Sequence, residues 1–126
     1  MREQKTLFFD TGELTNLAKQ GLVSEIRLLS HPPIGITRVQ IDLSNGAKNC
    51  RVKLLNRKKN HTPVEKLFRS ITGVHQWAYK LIYETSQSKE GQAIMVSFIH
   101  DHQQVTIDGT SYNEDNPFVW EKHHKQ

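Results

Sequence analysis

Apolar and polar positions along the chain change period several times, and each change marks an element. Leu7, Phe8 and Phe9 form a short apolar run, read as a first strand or a segment that packs under the first helix. Asp10 or Thr11 suits the cap of a helix over residues 12–20. Leu14, Leu17 and Ala18 make its i, i+3, i+4 stripe, Glu13 complements the positive end, and Gly21 supplies the left-handed stop.

Strict alternation then takes over. Over residues 24–30, Ile26 and Leu28 face one way while Glu25 and Arg27 face the other, until Pro32 and Pro33 interrupt the ladder. From Thr37, Val39, Ile41 and Leu43 take the core side, opposite Arg38, Gln40 and Asp42. Ser44-Asn45-Gly46 reads as a turn that accepts positive φ angles. Cys50, Val52 and Leu54 resume the inward set, with Arg51 and Lys53 outward. These segments predict a three-stranded antiparallel meander.

A basic turn, Asn56 to His61, leads into Thr62-Pro63-Val64-Glu65, which has the form of a capping box with proline at the first helical position. Val64, Leu67, Phe68, Ile71, Val74, Ala78, Leu81 and Ile82 continue at helical spacing. The pattern predicts a long helix over residues 63–85, with Gly73, which costs ~1 kcal/mol relative to alanine, as the position where it would bend or split. Residues 93–99 are nearly all apolar, the composition of a strand buried on both faces. A turn at residues 101–103 would return this strand as residues 105–108, with Gly109 ending it. The polar C-terminal stretch, residues 110–126, is expected to dock only through Pro117 to Trp120.

The expected fold is a single α+β domain over residues 1–126. Its antiparallel sheet has about five strands, one long helix packs across it, and a short N-terminal helix lies at an edge or beside it. The length of 126 residues and the 36% hydrophobic content suffice for one core without disulfides. No apolar run reaches the ~20 residues of a membrane span, and the start lacks a signal-peptide pattern, so a cytoplasmic location is expected. Cys50, the single cysteine, reads as a buried reduced thiol.

The element order helix, three strands, helix, with basic residues before the second helix, resembles double-stranded-RNA-binding domains in topology. The family's glycine-proline-x-histidine loop and its lysine pair at the second helix are not reproduced, and His31-Pro32-Pro33 is a poor substitute. Membership does not follow.

Charge and candidate chemistry refine this picture. The net charge is +4, and Arg38, Arg51 and Lys53 on the outward sheet face adjoin Arg57, Lys58, Lys59 and His61 at the basic turn. Cations beside a helix start favour phosphate, so these seven residues form a candidate nucleic-acid surface on a non-enzymatic module. The alternative is a protein-interaction factor, such as an inhibitor, immunity protein or mobile-element accessory protein. It would work through Trp77 and Tyr79 or dimerise through an exposed strand. A third reading is a ribonuclease-type toxin using His61 with Arg57 or Lys59. His100 and His102, two apart on a strand, share a face as a metal pair would, but two histidines are insufficient ligands and no metal or cofactor is assigned. Phosphate loops, dinucleotide fingerprints, zinc spacings and nucleophile elbows are absent.

Overall fold

The computed structural model describes residues 6–59, 62–87, 94–100, 105–107, 110–113 and 115–120. Strand β1 (Phe8–Phe9) leads into helix α1 (Thr11–Lys19), capped by Asp10. The Asp10 carboxylate accepts from the Glu13 N–H at 2.8 Å, and Glu13 accepts from the Asp10 N–H at 3.0 Å. Gly21, with φ at +74°, then turns the chain out of the helix.

The meander is present. Strand β2 (Val23–His31) pairs antiparallel with β3 (Ile36–Leu43), which pairs antiparallel with β4 (Cys50–Lys59). A 3₁₀ turn at Pro32–Ile34, closed by left-handed Gly35, joins β2 to β3. Alternation places Ile26, Leu28, Val39, Ile41, Cys50 and Val52 on one face, against Leu14 and Ala18 of α1 and Val74, Ala78 and Leu81 of the second helix. Both helices therefore cover the same face of the sheet.

Four expectations are corrected. First, the residues read as a capping box form strand β5 (Thr62–Glu65), antiparallel to the far half of β4. Pro63 is tolerated there because, among the described strands, β5 pairs with β4 alone, so one side of its backbone carries no ladder. Glu65 turns its carboxylate to Arg38, across the sheet, instead of to a backbone N–H. Second, helix α2 is shorter, Ile71–Ser86, and its cap is Ser70, whose hydroxyl accepts from the Gly73 N–H at 3.1 Å. Phe68 leaves the helical stripe to exchange two backbone hydrogen bonds with Thr37, at 2.8 and 3.0 Å.

Third, among the described residues the main sheet has six strands and is mixed, in the order β1-β4-β3-β2-β6 with β5 beside β4. Strand β1 runs parallel to β4, and β6 (Met95–His100) runs parallel to β2. Parallel neighbours require a long crossover, which α2 supplies by carrying the chain over the sheet to the opposite edge. Fourth, the strand after β6 does not return to it. Strand β7 (Val105–Ile107) pairs instead with β8 (Thr110–Tyr112) in a separate two-stranded sheet.

That hairpin closes a second apolar cluster of Ile34, Ile36, Leu67, Ile107, Tyr112 and Phe118. The C-terminal segment is held there by the Trp120 indole, which donates to the Gly35 carbonyl at 3.1 Å, while the Arg69 guanidinium lies 5.1 Å from its ring. Among the described residues no helix is long and apolar enough to cross a membrane.

Candidate functional site

Two surfaces compete for a functional role: the charged face of the sheet and its β6 edge.

On the face away from the helices, the cations are matched by carboxylates. Arg27 donates to both Asp42 oxygens at 2.7 and 2.8 Å, to Glu25 at 2.8 Å, to Asn49 at 2.7 Å and to Gln40 at 3.1 Å. The Arg27 hydrogen bonds hold the Asp42 carboxyl down at about 2, and Asp42 in turn raises the Arg27 pKa. Arg38 grips Glu65 with two hydrogen bonds, at 2.9 and 3.1 Å, and reaches the Thr106 carbonyl at 3.2 Å.

Arg51 lies 4.0 Å from the same Glu65 carboxylate. Burial, reinforced by the neighbouring Arg38 charge, lowers its pKa. Its Nη1 is buried without a hydrogen-bond partner among the described residues.

The expected phosphate surface is thus distributed unevenly. The side chains of Arg38 and Arg51 retain 11% and 17% exposure, and both point at Glu65. Lys53 lies 4.0 Å from Glu13. Lys58 is exposed near the end of β4. Arg57 and Lys59 belong to the β4 backbone, but their side chains, and the whole of His61, lie outside the described residues. His102 also lies outside them. Among the described residues no three histidine, cysteine or acidic groups are gathered as a metal site.

The two aromatic candidates separate. Trp77 is buried between the helices, where its indole donates to the Thr11 hydroxyl at 3.1 Å and its ring lies 5.7 Å from Phe68. It is a core residue. Tyr79, two positions on and so rotated by about 200° about the helix axis, is exposed.

Tyr79 borders an apolar groove of about 270 Å³ between α2 and β6. Leu28, Val96 and Phe98 line its sheet wall, and His75, Ala78, Tyr79 and Ile82 its helix wall. The His75 imidazole stacks on Phe98, with ring centres 4.7 Å apart and planes at 26°. Beside the groove the β6 edge is apolar on both faces. Exposure is 65% at Met95, 52% at Phe98 and 39% at Ile99, and on α2 it is 67% at Tyr79 and 53% at Tyr83.

The apolar run at residues 93–99 had implied a strand buried on both faces, yet among the described residues β6 pairs only with β2. Met95, Phe98 and Ile99 were therefore missed as surface residues, and their apolar side chains gave no other sign. No Asp, Glu, Lys, Arg or Pro lies within β6, so two of the usual protections of an exposed edge, charge and proline, are missing from it. Comparison with protein-family models, curated proteins and solved structures finds no match to this chain.

Proposed function

We propose that this protein is a non-enzymatic interaction factor that binds an extended protein segment along β6, anchoring apolar side chains of that segment in the α2–β6 groove. The observation that carries the reading is the β6 edge itself: uncharged, apolar on both faces and adjoining an apolar groove. Strand addition uses main-chain hydrogen bonds for affinity and alternate side-chain pockets for selectivity. An exposed edge of this composition is otherwise a liability for aggregation.

The phosphate-binding reading draws less support. Its two sheet arginines, Arg38 and Arg51, converge on Glu65, and Arg27 beside them is held by Asp42 and Glu25. A carboxylate already at the guanidinium competes with an incoming phosphate.

The test titrates the protein against a fluorescein-labelled peptide carrying the β6 sequence and, in parallel, against labelled DNA and RNA at two salt concentrations. The proposal expects peptide binding that is nearly salt-independent and abolished by Phe98→Lys. Oligonucleotide binding with a log–log salt slope of about −5, the value for six phosphate contacts, would instead support the cationic surface. Failure of the peptide to bind a chain that is monomeric under the same conditions would overturn strand addition.

A further inference from the structure

Resting on that reading, we infer that the occupant of the β6 edge is β6 of a second copy of this chain, paired antiparallel about a two-fold axis through Ser97. The arrangement follows from the parity of a strand. Side chains alternate with period two, and cross-strand partners must lie on the same face. A two-fold axis perpendicular to the sheet keeps each face on its own side. It must therefore pass between a residue and its own copy, never between neighbours.

The register of β6 on β2 sets the faces. Val96 and Phe98 align with Ile26 and Leu28 on the helix side, whereas Met95, Ser97 and Ile99 align with Glu25, Arg27 and Leu29 on the other. Centring on Ser97 then pairs Met95 with Ile99 twice on the open face and Val96 with Phe98 twice on the helix face. The two serine hydroxyls meet at the centre. The two pairs next to the axis on each side are apolar, a combination that stabilises antiparallel strands, and His100 at the strand end falls opposite Ile94. Centring on Phe98 would instead set Ser97 against Ile99 and Val96 against His100. Self-pairing sets no like charges against each other here, because β6 carries no Asp, Glu, Lys or Arg.

Helix spacing and area agree. Helix α2 packs over β2, one strand in from the edge. In the paired sheet the two α2 helices would stand three strand spacings apart, about 14 Å. Direct helix contacts need about 8–10 Å. The rings of Phe98 and Tyr79, exposed beside the groove on each copy, lie where that gap would open. At about 150–250 Å² per aromatic side chain, and with Met95 and Ile99 added, the exposed fractions amount to roughly 500 Å² per copy. That reaches the roughly 1,000 Å² total expected of a specific interface.

Sedimentation equilibrium combined with cysteine cross-linking tests the arrangement. The full chain is expected at twice its 14.6 kDa mass, with Phe98→Lys raising the dimer dissociation constant by at least about tenfold. Across the axis the two Ser97 Cα atoms would lie about 4.5–5.5 Å apart, within disulfide reach. Ser97→Cys should therefore cross-link under mild oxidation. Met95→Cys should not, since its two copies would be about 14 Å apart. The wild-type chain is the control for Cys50, which is buried.

A 14.6 kDa species at every concentration, with the β6 peptide still bound, would overturn the second copy and leave strand addition standing. A chain that neither self-associates nor binds the peptide would overturn both. A dimer that cross-links through Met95→Cys faster than through Ser97→Cys, or that ignores Phe98→Lys, would overturn this arrangement.

Discussion

Single residues on the sheet face show how a cationic pattern becomes internal structure. Asp42 accepts two hydrogen bonds from Arg27 and one from the Asn49 N–H, and its pKa falls from 3.8 to about 2. A carboxylate with a depressed folded pKa stabilises the fold fully above its unfolded value and loses that contribution as the pH drops through the folded value. Stability should thus fall by about 2 kcal/mol between pH 4 and pH 2 on account of Asp42. Urea unfolding across that window should show the loss in the wild type and a flatter profile in Asp42→Asn. Glu65 carries a heavier role, because it faces both Arg38 and Arg51. Removing one partner of a buried ion pair costs about 3–5 kcal/mol, whereas losing a capping side chain costs about 1 kcal/mol. Glu65→Ala is therefore expected to lower urea stability by about 3 kcal/mol. A loss near 1 kcal/mol would instead indicate a helix-capping role.

Elements show where local signals mislead. Thr62-Pro63-Val64-Glu65 satisfies every local requirement of a helix start, and residues 64–82 continue the helical period. The chain nevertheless forms β5 and delays α2 to Ile71. Pairing with β4 satisfies the backbone of β5, and the Arg38 contact draws Glu65 onto the sheet. Ser70→Ala should consequently reduce stability by about 1 kcal/mol in thermal or urea unfolding, since its hydroxyl caps the Gly73 N–H. Helix α1 presents the opposite case. Its capping box at Asp10 and Glu13 and its glycine stop at Gly21 are local, and no tertiary competitor displaces them.

At the scale of the whole molecule, the described residues build two cores of unequal size. The larger lies between the main sheet and both helices, and the smaller is closed by the β7–β8 hairpin with Phe118 and Trp120. Phe118 packs edge-on against both Tyr112 and Trp120, with ring centres 5.3 and 5.1 Å away. Truncating a buried phenylalanine costs about 3–5 kcal/mol where its surroundings cannot collapse. Phe118→Ala should therefore open β7 and β8 at lower free energy than β2 and β3, as read by native-state hydrogen exchange. Equal acceleration across both sheets would show a single cooperative unit. The β6 edge belongs to this scale too, because its exposure depends on which strands stand beside it and on nothing within it.

Alternation along residues 24–54, the cap and stop of α1, and the apolar stripe of α2 were legible in the sequence because backbone period and capping are local properties. They account for the α+β class, the meander and the helix-covered face. Other features required partners distant in the chain. Glu65 meets Arg38 across 27 positions, β6 joins β2 through a crossover, and Trp77 turns inward to Thr11. An apolar strand has the same composition whether it lies at the centre or the edge of a sheet. Likewise, an arginine has the same outward alternation whether it faces water or a carboxylate. Strand order decided both cases, making β6 an apolar edge and drawing the sheet arginines into ion pairs, because burial and pairing depend on neighbours in space.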